Sequence, residues 1–322
     1  DLTVQNNIIM TTLGAFGNVT GTIANLTVSG CPLLEGMTGL ADINVISGDL
    51  IIQNNTGLIS LGGLSGLTEI GGSLTIKDCN SLPGMGGIGN LEAIGADLSI
   101  QNNSIMASLS ALNNSNVSGA IDNLTISDCP LLENLDGLGS FNLIEGNVKI
   151  FNNTGLISLF GLHSITGIGG DLIIENNSSL PALTGLGGLT VIDGNFVLSE
   201  CNSLTNPEAV TSLASIALDL VIQKNASLST LAGLDGLTEI GGSLLVSSCG
   251  ALVNLSGLGG LTTIGNDFNL IGNAVLESLS NLNLSGISGN LSILICPSLQ
   301  NLEGLDGITN VNGLYLQSNQ SL

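Results

Sequence analysis

Apolar residues recur along this chain in a fixed order: two positions apart, then, after a polar interval, three apart four times over, before the cycle restarts. The cycle opens at positions 1, 25, 49, 73, 97, 123, 147, 171, 195, 219, 243, 267, 290 and 313, in steps of 24 residues save one of 26 and two of 23. A fixed period in this range is the mark of a solenoid. Numbering one rung 1 to 24, apolar residues fall at 2, 4, 10, 13, 16, 19 and 22, with Asn or Cys at 7; Leu50, Ile52, Asn55, Leu58, Leu61, Leu64, Leu67 and Ile70 form one such set. Spacing by two predicts a short strand, since alternate side chains then point to opposite faces. Spacing by three does not fit a 3.6-residue helix, and Gly at 14, 18, 23 and 24 argues against one. The β-branched residue at 22 predicts a second short strand. Stacking pairs these strands in parallel, one rung on the next.

Position 7 carries the most specific chemistry. It is Asn at Asn7, Asn55, Asn103, Asn153, Asn177, Asn225, Asn273 and Asn319, and Cys at Cys31, Cys79, Cys129, Cys201, Cys249 and Cys296. An inward polar side chain must find hydrogen-bond partners or cost a few kcal/mol. Asn at a tight bend can satisfy backbone groups of its own and adjacent rungs, and Cys packs there as a small hydrophobe. The interchange predicts a structural ladder through the interior.

The pattern L-x-[IV]-x-x-[NC]-x-x-L-x-x-L resembles the leucine-rich repeat, and the L-T-x-I-G-G-[DS]-L-x-I variant resembles the L domain of receptor ectodomains. That resemblance covers essentially the whole chain and implies a right-handed β-solenoid. The expected fold is therefore all-β: a right-handed parallel β-solenoid of about 14 rungs over residues 1–322, one domain or a segment of a longer repeat chain.

Charge and composition narrow the partners. The chain has 25 acidic residues against Lys77, Lys149 and Lys224, with no arginine and a net charge of −22. Such a surface repels phosphate backbones, and with no Trp and one Tyr it lacks stacking platforms, so no nucleic-acid partner is expected. No apolar run approaches the ~18 residues of a transmembrane helix, so no membrane insertion is expected. The 43% apolar content fits a continuous core instead. Six cysteines invite a disulfide reading. However, Cys-bearing rungs are never adjacent, which sets neighbouring sulfurs ~9.6 Å apart, too far for a disulfide or for tetrahedral zinc. Six free, buried thiols are expected.

Catalytic and cofactor chemistry is not expected. His163, the single histidine, falls at an outward turn position, and no Ser carries the context of a nucleophile elbow. Asp at position 1 (Asp1, Asp49, Asp97, Asp171, Asp219, Asp267) never occurs in adjacent rungs, so strand capping or solvation is expected there rather than a calcium column. Pro207, at an inward position, predicts a local bulge or kink.

Fifteen N-x-[ST] sequons point to N-linked glycans and an extracellular or cell-surface protein. Asn177, Asn225 and Asn319 belong to the ladder and should stay bare. The candidates are Asn54, Asn102, Asn152 and Asn176, one place before the ladder and expected to point outward, with Asn254 and, in the first, fifth and twelfth rungs, which share a variant second half (17–28, 114–126 and 281–293), Asn18, Asn25, Asn113, Asn116, Asn123, Asn283 and Asn290. The chain opens at position 1 of a rung and stops at position 10 of another without a polar cap. The expectation is a structural protein that associates end to end into a fibril or surface layer. The alternatives are a recognition or adhesion module using one solenoid face, and an ice-binding protein using Thr27, Thr75 and Thr125 at position 3, a column interrupted by Ile51 and Ser99.

Overall fold

A computed structural model describes residues 1–113 and 119–322. The architecture is all-β, a parallel β-solenoid of about 13 turns with a period near 24 residues and almost no helix. The chain packs as two compact units, Asp1–Leu156 with Phe160–Ile165, and Ile157–Leu159 with Thr166–Leu322.

In the first unit the strands Leu2–Gln5, Leu26–Ser29, Leu50–Gln53, Leu74–Lys77, Leu98–Gln101, Leu124–Ser127 and Val148–Phe151 follow one another in a parallel sheet. Each sits in register with the next, as in Leu26↔Leu50 and Val28↔Ile52. In the second unit the same sheet position is held by Leu172–Glu175, Phe196–Ser199, Leu220–Gln223, Leu244–Ser247, Phe268–Ile271, Leu291–Leu294 and Leu314–Gln317. Positions 2 and 4 turn inward and position 3 outward, the two-residue alternation of a strand, while position 5 is buried where it is Ser29, Ser127 or Ser199.

A second, narrower sheet forms around position 22. In the first unit it runs through Gly21–Ile23, Ile43–Ile46, Glu69–Ile70 and Ala93–Ile94, then starts afresh with Gly119–Ile121 and Phe141–Ile144. Both starting strands lie in variant rungs, and each pairs with its successor through a register shift, at Gly21/Thr22 and Gly119/Ala120. In the second unit it continues rung by rung from Gly167–Ile168 to Gly286–Ile287.

The core is the set of residues spaced by three. Leu58, Leu61, Leu64, Leu67 and Ile70 are fully buried, as are their equivalents along most of both units. The chain reverses direction at two recurrent left-handed residues. Position 6 has φ between 51° and 69° whether it is Asn54, Asp78, Gly30, Lys224 or Ile295. Position 15 is glycine in the rungs of Gly39, Gly87, Gly137, Gly161, Gly185, Gly233, Gly257 and Gly304, with φ from 98° to 119°. A Cβ there would meet the backbone of the preceding rung; at Gly161 it would lie 1.9 Å from the Leu135 carbonyl oxygen. In other rungs a 3-10 turn takes this corner, at Gly14–Phe16, Gly62–Leu64 and Ser110–Leu112.

Ala209 is the exception, a non-glycine at position 15 with φ of 91°. The expected bulge at Pro207 does not disturb the pairing of its rung. Pro207 is buried, and Phe196–Ser199 and Ser215–Ile216 pair with the following rung without a shift. The departure is concentrated in the Ala209 backbone.

Candidate functional site

Two columns of polar side chains tie the rungs together. The interior column is the expected ladder. The Asn55 Oδ1 accepts the Cys31 N–H at 2.9 Å, and its Nδ2 donates to the Val28 carbonyl at 2.8 Å. Asn103 makes the same pair of bonds to Cys79 and Ile76, Asn153 to Cys129 and Ile126, Asn225 to Cys201 and Leu198, and Asn273 to Cys249 and Val246. Asn319, half-buried, repeats it towards Cys296 and Ile293. Each amide therefore serves the rung before its own. Asn177 is fully buried, whereas Asn7 is half-buried and donates to the Gln5 carbonyl of its own rung.

The six cysteines are free and fully buried. Their thiols donate to nearby carbonyls, Cys79 to Lys77 at 3.4 Å and to Ile52 of the preceding rung at 3.8 Å. Burial pushes the thiols of Cys79, Cys129, Cys201 and Cys249 up to about 11, despite opposing backbone N–H bonds from Asn55, Asn103, Asn177 and Asn225. Burial raises Cys296 as well. Such groups are protonated and shielded at neutral pH, as structural cysteines are.

The second column stands at position 1, where the chain enters the first sheet. The Asp49 Oδ1 accepts the Ser73 N–H, and Asp97, Asp171, Asp219 and Asp267 do the same for the following rung at Asn123, Asn195, Ser243 and Asn290. Where position 1 is Asn or Ser the pattern continues: Asn25 accepts from Asp49, Ser73 from Asp97, Asn123 from Asn147, Asn195 from Asp219 and Ser243 from Asp267. The Asn amides also donate back, Asn25 to Asp1 at 2.7 Å, Asn123 to Asp97 at 2.8 Å and Asn290 to Asp267 at 3.0 Å. The expected capping role of these Asp residues thus extends into a corner ladder within each unit. The signal for it in the sequence is the alternation of Asp with Asn or Ser at position 1.

The sequons fall into distinct surroundings. Asn225 and Asn319 are ladder members, as is buried Asn177 by position. Asn25, Asn123 and Asn290 belong to the corner ladder and are half-buried. Asn54 and Asn102 are exposed at the left-handed position 6, while Asn152 and Asn176 are half-buried there. The Asn102 amide is held by Asp78, and that of Asn152 by Asp128 at 3.0 Å. Asn254 is half-buried and accepts the Ser256 N–H. Asn18 and Asn283 are exposed on the turn that precedes the second sheet, and Asn113 is exposed at the end of the 3-10 turn Ser110–Leu112. Asn116 lies outside the described residues.

Other surface features are local. His163 is exposed and stacks on Phe160 with ring centroids 4.8 Å apart. On the outward face of the second unit's first sheet, Ile173, Val197, Val221 and Leu245 stand in register as an aliphatic column. The equivalent column of the first unit is richer in hydroxyls, from Thr3 and Thr27 past Ile51 to Thr75, Ser99 and Thr125. Among the described residues no group of three or more His, Cys, Asp or Glu is placed to hold a metal ion, and no helix is long and apolar enough to cross a membrane. No protein-family model matches the chain, and neither a curated protein nor a solved structure does.

Proposed function

We propose that this chain is an extracellular, N-glycosylated structural protein, akin to leucine-rich repeat proteins of the receptor L-domain type, whose copies stack rung on rung into a fibril or surface layer. The observation that supports the reading is the repetition of one contact set. Within each unit a rung offers its neighbour the same paired strand, the same corner acceptor and the same apolar stripe. Repeated contacts of this kind suit the stacking of further copies, since a solenoid grows by adding like rungs to like. The role is architectural rather than catalytic.

Electron microscopy of native, unfixed material tests this directly. Filaments or a sheet are expected. Wild-type particles that remain single at high concentration would overturn the reading.

A second reading, a recognition or adhesion module, is favoured by the aliphatic column Ile173, Val197, Val221 and Leu245. Under it, Val221→Lys abolishes attachment to the cognate surface and leaves assembly unchanged.

A further inference from the structure

We infer that the sequons Asn18, Asn54, Asn113 and Asn283 accept N-linked glycans in the folded protein, and that the corner sequons Asn25, Asn123 and Asn290 are excluded. This rests on the extracellular reading above and gives it particular sites. The four acceptors are exposed, and none of their amide nitrogens donates a hydrogen bond among the described residues. Two of them, Asn18 and Asn283, occupy the same turn just before Gly21–Ile23 and Gly286–Ile287, while Asn113 ends the 3-10 turn Ser110–Leu112. The glycans on Asn18 and Asn283 therefore stand at the entrance to the second sheet and leave the outward face of the first sheet uncovered at those rungs.

The corner sequons carry the same motif in a closed setting. The Asn25 amide is wedged between rungs, its Nδ2 on the Asp1 carboxylate and its Oδ1 under the Asp49 N–H. Not even a methyl group fits beside it, since a Cβ on Gly48 would lie 2.2 Å from that Oδ1. Asn123 is enclosed likewise by Asp97, Asn147 and Gly146, and Asn290 by Asp267 and Gly313. An oligosaccharide on any of them would have to displace a neighbouring rung. Copies modified there fail to close the solenoid and do not leave the cell folded.

The chemistry is transfer from a lipid-diphosphate-linked oligosaccharide. The Asn Nδ2 forms a bond to the anomeric carbon, the bond from that carbon to the diphosphate oxygen breaks, one amide proton is lost to a base, and the lipid diphosphate departs. The test is site-resolved mass spectrometry of the full chain secreted from a eukaryotic cell line, after enzymatic glycan release in ¹⁸O-water to mark each formerly occupied Asn. Occupancy above half is expected at Asn18, Asn54, Asn113 and Asn283, and at least tenfold lower occupancy at Asn25, Asn123 and Asn290. Corner sequons occupied as fully as the turn sequons, or bare turns in a chain modified elsewhere, would overturn the inference. The native protein is mapped in parallel. If it carries no glycan while the secreted form shows the expected sorting, the extracellular reading fails and the assignment of accessible sites stands.

Discussion

The interior and corner ladders solve the same problem in opposite directions. Both bring a side-chain acceptor to a backbone N–H that the sheet leaves unpaired. At the interior, Asn103 reaches back to Cys79 of the preceding rung. At the corner, Asp219 reaches forward to Ser243 of the following one. The interior column is fully buried and the corner half-buried, so an unmade bond has different consequences. Water cannot reach the first and can replace the second. This difference explains which residues each column admits. The interior uses neutral Asn and Cys, whereas the corner tolerates a carboxylate, because a buried charge without a partner is far more costly than a buried amide.

The two columns should therefore part under perturbation, most strongly at high pH. The interior thiols of Cys79, Cys129, Cys201 and Cys249 hold their protons up to about 11 when folded, against an ordinary value of 9.0. Above pH 9 the unfolded chain loses these protons and the folded chain keeps them. Stability is thus full below pH 9 and falls as pH climbs through 11, by about 2 kcal/mol per thiol. Urea unfolding at pH 8, 10 and 11 measures it, and a midpoint that stays level across this range contradicts the buried column.

Next in size is Asn103→Leu. It leaves the Cys79 N–H and the Ile76 carbonyl without partners in a dry interior and should cost about 2–4 kcal/mol. Asn103→Cys, which copies the neighbouring rungs, should cost about half as much; thermal melts of the pair read the difference. Asp219→Ala at the corner removes the acceptor of a 2.6 Å bond, but water can take its place. A loss of about 1 kcal/mol is expected, and a loss matching that of Asn103→Leu would show that half-burial gives no relief. Smallest, and of opposite sign, is Ala209→Gly. It relieves a left-handed alanine at the price of a freer unfolded chain, a net gain of up to about 1 kcal/mol visible as a raised denaturation midpoint.

Much of this was legible in the linear pattern because every rung repeats it. The spacing at Leu50, Ile52, Leu58, Leu61, Leu64, Leu67 and Ile70 defines which side chains face inward, and those residues are fully buried. The Asn/Cys alternation was readable because an inward amide must be satisfied. The corner ladder was harder to see, since Asp, Asn and Ser at position 1 are ordinary residues for a strand entrance. Their bonds run between residues 24 apart in sequence, and only stacking brings these together. The sequons hide their surroundings for the same reason: Asn18 and Asn25 carry one motif, and nothing local distinguishes an open turn from an amide wedged beneath the next rung. Division into two units was likewise invisible, because the period runs through residues 157–165 unchanged.

The opposed reach of the two ladders has a consequence in time. A ribosome delivers the chain from its N-terminus, so each corner side chain is already waiting when the N–H it will receive emerges. An interior N–H such as that of Cys79 must wait for Asn103, a full 24 residues later. At each cysteine rung the nascent solenoid thus carries a docking point for its next rung together with one unmet donor that the next rung satisfies, and elongation there is pulled forward from both.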